Sequence, residues 1–291
     1  MIELPTTALD GRLIAALGFG AGALAVTAAH FFAEPMRWRL SYLPNEAAPA
    51  STIRDVFLCA SLASYILPFK LGVPLRVLLV RHFAGVKLAD IGVLIAADSI
   101  LTLSVWGAFT MAGWGVGRGA MAAYWPSSWT LPAMLGLVLA VLVAASFSRI
   151  RSSGFSFLVL LKRDPMRLVL AILIMTFDVM GYGLRHALFA AAVGVDPSLL
   201  FGCAVAGVVA TFAGMLSGMP MGLLGYDAAL LVLFTLQGVG PGETAVVIIL
   251  NRAMSILCAV ALGMPAASRL GLGRGVLEIT RKLRSMASGS R

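Results

Sequence analysis

Three cations lie inside or beside apolar runs of the sequence, where a free charge is costly. Lys70 and Arg76 belong to a segment rich in proline and glycine, and Arg252 lies near the middle of the last long apolar run. Because a charge in mid-membrane costs roughly 3 kcal/mol on insertion scales, such residues face a partner or water. A guanidinium fork also matches the geometry of a phosphate. These residues are candidates for binding an anionic head group. For Arg76 and Arg252 the alternative is a structural ion pair, which for Arg252 would be formed with Asp98 or Asp178.

A second set of polar residues is embedded in the long apolar runs. Asp178, Tyr182 and Arg185 are spaced by four and three residues, which places them on one face of a helix. We expect Asp178 and Arg185 to form an internal ion pair along that face. Asp98 and Asn251 each lie near the middle of another run, and we expect Asp98 to be a paired carboxylate. Together these residues predict a polar path or a set of internal ion pairs.

The sequence contains no recognisable catalytic or metal-binding arrangement. Its three histidines and three cysteines are scattered through different segments without metal-ligand spacing. There is no Ser-His-Asp arrangement with supporting context, no pair of carboxylates at a familiar spacing and no phosphate-binding glycine loop followed by lysine. We therefore expect no enzymatic activity, no metal and no cofactor.

The composition indicates a protein that crosses a membrane several times. Hydrophobic residues make up 60% and charged residues 12% of the 291 residues, which is more apolar surface than one soluble core needs. The net charge of +9 does not indicate nucleic-acid binding, because the cations lie at the ends of apolar runs and in loops. We predict an all-α integral membrane protein, a polytopic helical bundle of about seven to nine membrane segments.

The distribution of charge predicts the domain organisation and the orientation. Residues 1–268 are expected to form a single transmembrane domain, and residues 269–291 a basic tail. The tail and the basic loop 148–167 are placed on the cytoplasmic side, and the loop 113–130 on the outside. The long helices after Leu88 and Glu243 then run in opposite directions through the membrane.

The first apolar run, Leu13 to Ala33, is long enough to span a membrane. We expect this helix to end near Pro35. Arg37 and Arg39 then flank Trp38, which is expected to lie at the membrane interface in a cytoplasmic loop.

Two segments of the chain follow the same plan when one is shifted by 153 positions. The coinciding pairs include Gly72 with Gly225, Gly85 with Gly238, Asp90 with Glu243, and Asp98 with Asn251. Each copy begins at a break in its apolar run, and the turn residues are Pro68 and Gly72 in the first break and Pro220, Gly222, Gly225 and Asp227 in the second. Asp227 is expected to cap the helix that follows.

Interrupted backbone at membrane depth must be covered by protein or line a wet cavity. We therefore predict two interrupted or re-entrant elements, with repeat-like halves at about 53–114 and 198–265 in an inverted repeat. The site is expected where the two interrupted elements face each other.

The residues around both breaks are similar to the signatures of a known family. The run Leu67-Pro68-x-Lys70-x-Gly72-x-x-x-Arg76, followed by Arg81 and Gly85-Val86-x-Leu88, resembles the first signature of the lysylphosphatidylglycerol synthase transmembrane-region family. The run Pro220-x-Gly222-x-x-Gly225-x-Asp227, followed by Gly238 and Arg252, resembles the second signature of the same family. The resemblance covers roughly Arg37 to Pro265, and it departs from the usual pattern at Val73, where the family has a glutamate.

The resemblance implies a flippase-like protein that translocates or handles a lipid with a charged, phosphate-containing head group. It does not imply aminoacyl transfer, because the soluble synthase module of the full-length relatives is not expected in this chain. The expected location is the bacterial inner membrane, and the expected partners are anionic or isoprenoid-linked membrane lipids and a lipid-modifying enzyme. Two alternatives stay open: a non-transporting scaffold or regulator that presents lipid to a partner enzyme, and a proton-coupled small-solute transporter that uses Asp98 or Asp178.

Overall fold

The computed structural model describes residues 6–43, 48–66, 71–116, 165–217 and 225–272. Within these residues the chain forms eight α-helices and no β-strand, as the composition predicts. In chain order they are α1 (Thr6–Arg37), α2 (Ala50–Ile66), α3 (Gly72–Ala84), α4 (Leu88–Val116), α5 (Pro165–Ala192), α6 (Leu200–Leu216), α7 (Gly225–Leu236) and α8 (Pro241–Arg269).

Five of the described helices, α1, α4, α5, α6 and α8, are long and apolar enough to cross a membrane. The helices α3 and α7 are shorter, with 13 and 12 residues. Large apolar side chains on the long helices point outward: Phe177 is 72% exposed and Ile249 is 63% exposed. A chain with several such helices and outward apolar faces is a multi-pass membrane protein.

The first helix does not end at Pro35. It continues through that proline to Arg37 and changes to π-helical backbone over Trp38–Tyr42. A proline removes only the one backbone hydrogen bond of its own N–H, so a helix can pass it near its end. The predicted interfacial loop is therefore wrong, because Trp38 is fully buried and Arg37 is nearly so.

The helix boundaries of the two predicted copies correspond. The helices α3 and α7 begin at Gly72 and Gly225, which are 153 positions apart, and α4 and α8 have bounds offset by the same number. Between the short and the long helix of each copy the chain passes through a glycine with a left-handed backbone, Gly85 at φ 65° and Gly238 at φ 86°. Both turns thus use the residue that adopts this conformation without a steric penalty.

Each of the short helices begins with a glycine pressed against the preceding helix. A Cβ atom on Gly225 would lie 2.6 Å from Cβ of Ser217, and a Cβ atom on Gly72 would lie 2.9 Å from Cβ of Ser64. The two serines are also offset by 153 positions. Glycine is therefore required at both positions for close packing of α2 with α3 and of α6 with α7.

The packing of the long helices brings the two halves together. The helix α1 packs along α5, α2 packs along α8, and α4 packs against α6. Apolar clusters around Trp38 and Phe57 on one side, and around Phe189 and Phe234 on the other, fix these contacts. The polar side chains of α5, α7 and α8 are thereby held between the two halves.

Several predicted residues and segments lie outside the described residues. They are Pro68, Lys70, Pro220 and Gly222, the segment 117–164 and the residues from 273 onward. The orientation in the membrane, the re-entrant character of the two breaks and the inverted repeat stay predictions.

Candidate functional site

A cavity of about 300 Å³ lies between α2 and α3 on one side and α5, α6, α7 and α8 on the other. It is lined from both breaks, because Tyr65 and Val73 belong to the α2–α3 junction and Met215 and Tyr226 to the α6–α7 junction. The other lining residues are Ser64, Tyr182, Arg185, Thr211, Gly214, Asn251, Arg252 and Ser255. Apolar walls with a few convergent polar groups are typical of small-molecule sites.

Arg185 is the most unusual residue of this cavity, because it is a buried cation without a counter-charge in the described part of the chain. Its exposed fraction is 4%, and its Nε atom has no hydrogen-bond partner. Its guanidinium carbon lies 4.4 Å from the centroid of the Tyr182 ring, a cation–π contact that holds the side chain in place. The guanidinium is positioned by this ring and leaves donors for a ligand.

The predicted ion pair between Asp178 and Arg185 is wrong. The two residues lie seven positions apart, which is about 10 Å along a helix axis and too far for a direct contact. The Asp178 carboxylate instead binds Nδ1 of His30, and Nε2 of the same imidazole lies 2.7 Å from the Tyr182 hydroxyl. The expected common face is present, but the partner of Asp178 comes from α1.

This chain of hydrogen bonds has a defined direction. A carboxylate accepts from Nδ1–H of His30, and with an imidazole that has no hydrogen on Nε2 the Tyr182 hydroxyl donates to that nitrogen. Tyr182 lines the cavity, and the His30 side chain is 27% exposed. The arrangement connects the cavity to the His30–Asp178 pair.

A second chain of hydrogen bonds fixes Asn251. Nδ1 of His186 lies 2.7 Å from the Tyr182 carbonyl oxygen, and Nε2 of His186 lies 2.6 Å from the Tyr226 hydroxyl. The Asn251 amide nitrogen donates to that hydroxyl at 2.8 Å. Asn251 is 8% exposed, and its Oδ1 atom has no partner in the described structure.

His186 has room for its ring because α6 carries a glycine opposite it. A Cβ atom on Gly207 would lie 2.6 Å from Cβ of His186 and still closer to the ring. Gly207 therefore belongs to the support of the site although it does not line the cavity.

Arg252 lines the cavity from α8 but is already paired. Its Nη2 donates to both carboxylate oxygens of Asp227, at 2.7 and 2.6 Å. The predicted alternative partners, Asp98 and Asp178, are wrong, since both bind residues of α1. Asp227 lies in the first turn of α7, where a negative charge is favourable, and its oxygens bind Arg252 where we expected a cap.

Arg76 has a similar partner but a different position. Both of its terminal nitrogens donate to the carboxylate of Glu34, and the guanidinium stacks on the Phe57 ring at 4.7 Å. Arg76 does not line the cavity. Lys70, the third predicted cation, lies outside the described residues.

Asp98 is a paired carboxylate, as the sequence predicts. Arg37 donates to its two oxygens at 2.8 and 3.0 Å, and the Trp38 indole N–H donates to Oδ2 at 3.2 Å. Asp98 and Arg37 are 7% and 5% exposed. The pair lies apart from the cavity lining.

Several residues of these clusters were missed by sequence reasoning: His30, Glu34, Arg37, Trp38, His186 and Tyr226 in its role as an acceptor for Asn251. His30 and His186 are far apart in sequence, so their spacing indicated no metal site and no common cluster. Each histidine lies inside an apolar run, and this position indicates a polar cluster because a buried imidazole must find partners for both nitrogens. Among the described residues, no group of three histidines, cysteines or acidic residues could hold a metal ion.

The comparison with protein families agrees with the motifs at the two breaks. The family model described as the lysylphosphatidylglycerol synthase TM region matches residues 11–263, most of the chain. Neither the comparison with curated proteins nor that with solved structures found a match. The match includes both breaks, all the helices that line the cavity and the arginine of the last helix, and this chain therefore belongs to the lysylphosphatidylglycerol synthase transmembrane-region family.

Proposed function

We propose that this protein binds a lipid with an anionic, phosphate-containing head group in the cavity and moves it between the leaflets of the membrane. The observation that carries the proposal is Arg185, a cavity cation that is 4% exposed and has no carboxylate partner in the described residues. An unpaired charge at this depth is costly, and a phosphate oxygen would relieve the cost through charge-assisted hydrogen bonds.

Two further features support an anionic ligand. Arg252 lines the same cavity, and its pair with Asp227 is 21% and 30% exposed, so a phosphate could compete for the guanidinium. Tyr226 lines the cavity from the first turn of α7, which brings a helix N-terminus to the same region. Helix N-termini favour negative charge. We accordingly transfer the head-group role predicted for Arg76 to Arg185, with Arg252 beside it.

The architecture in the proposal is an inverted repeat with the cavity at its centre. Support comes from the corresponding bounds of α3–α4 and α7–α8 and from cavity residues at both breaks. Many transporters place their substrate between two such interrupted elements. We propose a single membrane domain over residues 1–268 in the bacterial inner membrane, a cytoplasmic basic tail, and no chemical conversion of the lipid.

The experiment compares Arg185→Met with the wild-type protein in proteoliposomes. Native mass spectrometry measures retained phosphatidylglycerol, and dithionite quenching of a fluorescent phosphatidylglycerol measures translocation. We expect the variant to lose about tenfold or more of its lipid occupancy and to lose translocation, because a hydrogen bond to a charged group contributes about 1.5 to 3 kcal/mol. Arg81→Met, which removes an exposed arginine outside the cavity, is the matched control.

The outcomes separate the candidate functions. Unchanged lipid occupancy and translocation in Arg185→Met would contradict the proposal. Lipid binding that depends on Arg185 in a wild-type protein that moves no lipid would favour the scaffold that presents lipid to a partner enzyme.

The second candidate is a proton-coupled small-solute transporter, which the chain Asp178, His30 and Tyr182 favours because it ends at the cavity. Asp98 is not suited to carry the proton, since its oxygens are bound by Arg37 and Trp38. A pH-dependent uptake that is lost in Asp178→Asn and kept in Glu34→Gln would support this candidate. Solute uptake by the wild-type protein that is absent or does not vary with pH would exclude it.

A further inference from the structure

We propose that Asn251 makes the cavity selective for head groups that carry a hydrogen-bond donor, a hydroxyl or a primary ammonium group, beside their phosphate. The inference rests on the proposed function, because it assigns the neighbour of the anion held at Arg185. The observation that supports the inference does not involve Arg185. The amide oxygen of Asn251, a residue of the cavity wall, is buried without a partner in the described structure.

The orientation of the Asn251 amide follows from its hydrogen-bonded neighbours. A carbonyl oxygen can only accept, so Nδ1 of His186 carries the hydrogen that is donated to the Tyr182 carbonyl. The other ring nitrogen of the neutral imidazole must then accept the hydroxyl proton of Tyr226. The Tyr226 oxygen is left as an acceptor, and only the NH₂ group of Asn251 can satisfy it.

A reversed amide would place two acceptors against each other. The chain of hydrogen bonds therefore directs Oδ1 of Asn251 away from Tyr226, and this oxygen is the atom without a partner. Buried polar atoms are nearly always satisfied, and an unsatisfied one at a cavity wall indicates a ligand group of opposite kind. The complementary group is a donor.

The cavity thus offers a ligand two different hydrogen-bonding groups that have no partner in the described residues. Arg185, from α5, offers N–H donors with a positive charge, and Asn251, from α8, offers a neutral acceptor. The two residues are linked through the backbone of α5, because His186 follows Arg185 and holds the Tyr226 hydroxyl that orients Asn251. A phosphate alone would bind the N–H donors of Arg185 and would leave the Asn251 acceptor without a partner.

This requirement divides common head groups by chemistry. Phosphoglycerol carries hydroxyl donors and phosphoethanolamine carries ammonium donors, and each can pair with both hydrogen-bonding groups. Phosphocholine carries a phosphate and a cation but no donor. A site built to hydrogen-bond a donor discriminates strongly against an analogue that lacks it, because the buried acceptor stays unpaired.

The experiment measures the occupancy of two matched lipid pairs in nanodiscs by native mass spectrometry with competing lipids of equal chain composition. The first pair is phosphatidylglycerol with phosphatidylpropanol, which has the same phosphate and no hydroxyl group. The second pair is phosphatidylethanolamine with phosphatidylcholine. We expect the wild-type protein to prefer the donor-bearing lipid of each pair about tenfold.

Asn251→Leu removes the acceptor at similar size, and we expect it to abolish the preference in both pairs while it still binds phosphatidylpropanol. Tyr226→Phe is the second variant, because it keeps Asn251 and removes the hydroxyl that orients the amide. We expect it to reduce the preference as well, as a positioning residue should. Thermal unfolding in the same nanodiscs shows whether each variant is folded.

The two hypotheses fail in different ways. Equal occupancy within both pairs in the wild-type protein would overturn the role of Asn251, whatever the variants do, and would leave the anion site at Arg185 intact. Occupancy that is unchanged in Arg185→Met would overturn the proposed function. A preference confined to the ethanolamine pair would support an ammonium group as the donor, and one confined to the glycerol pair a hydroxyl group.

Discussion

Asp98 in α4 and Asn251 in α8 occupy corresponding positions, 153 residues apart, in two helices with corresponding bounds. Both side chains are buried, at 7% and 8% exposure. Asp98 is bound by Arg37 and Trp38, whereas Asn251, a cavity-lining residue, uses only its NH₂ group, and its buried oxygen has no partner among the described residues. A buried polar residue with complete partners stabilises the fold, and one with incomplete partners is available to a ligand.

The same contrast separates the arginines of the two regions. Arg37 is buried and bound to a carboxylate through two nitrogens, whereas Arg185 is equally buried and has no carboxylate partner within the described residues, where it stacks on the Tyr182 ring. Arg76 and Arg252 are intermediate, because each has a carboxylate partner that is itself partly exposed. On the proposed function, the degree of pairing, rather than the presence of charge, distinguishes the structural cations of this protein from the cation that would bind the ligand.

The largest expected effect concerns the cluster of Asp98 with Arg37 and Trp38, in which the carboxylate has all its partners. Asp98→Asn removes the carboxylate to which the buried Arg37 is hydrogen-bonded, and we expect a loss of roughly 3 to 5 kcal/mol in the free energy of unfolding. Asn251→Leu should cost only about 1 kcal/mol, the value of its single hydrogen bond. Unfolding in mixed micelles measures both, and similar losses in the two variants would remove the distinction between the clusters.

The double variant Arg37→Met with Asp98→Leu serves as the control for this prediction. It replaces the pair by apolar side chains, and we expect it to recover much of the stability that Asp98→Asn loses. A double variant as unstable as Asp98→Asn would mean that packing around Trp38, and not the unpaired charge, explains the loss.

An intermediate effect tests whether the two junctions are equivalent. Gly72→Ala and Gly225→Ala each force a Cβ atom against a neighbouring serine, Ser64 or Ser217, and we expect each to lower stability by about 1 to 3 kcal/mol. Gly92→Ala in α4 is the control, since its added Cβ atom meets nothing within 4 Å. Apparent melting temperatures in detergent would show the difference, and an unaffected Gly225→Ala would argue against corresponding junctions.

The smallest expected effect concerns the partly exposed pairs. Asp227→Asn frees Arg252, which lines the cavity, and we expect roughly a twofold to fivefold rise in phosphatidylglycerol occupancy, with stability changed by about 1 kcal/mol or less. Glu34→Gln frees Arg76, which does not line the cavity, and should leave the occupancy unchanged. Equal rises in both variants would indicate that lipid responds to net charge and not to the cavity.

Much of the fold was predictable because membrane helices have a strong local signal. The helices α4 and α8 begin within two residues of the predicted starts at Leu88 and Glu243, and the breaks at Gly72 and Gly225 coincide with the starts of α3 and α7. Hydrophobic length and glycine or proline interruptions are properties of neighbouring residues, so the sequence contains them directly.

The partners of the polar residues were not predictable for the opposite reason. Arg37 and Asp98 are 61 residues apart and His30 and Asp178 are 148 apart, so their contacts depend on how α1 packs against α4 and α5. The charge pattern identified Arg252 and Asp98 as buried ionic residues, but it could not choose among distant carboxylates. The role of Asn251 in particular required the direction of a chain of hydrogen bonds through three helices.

The size of the residue at position 207 affects the hydrogen bonds from His186 through Tyr226 to Asn251. A larger side chain there would displace the His186 ring, release the Tyr226 hydroxyl and allow the Asn251 amide to turn, although Gly207 does not line the cavity. On the proposed function, the preference for a head group would therefore change through a helix-packing position in α6, with the cavity wall unaltered in sequence. A protein with the same cavity residues would then differ in its preferred lipid if a larger residue stood where this glycine supports one histidine.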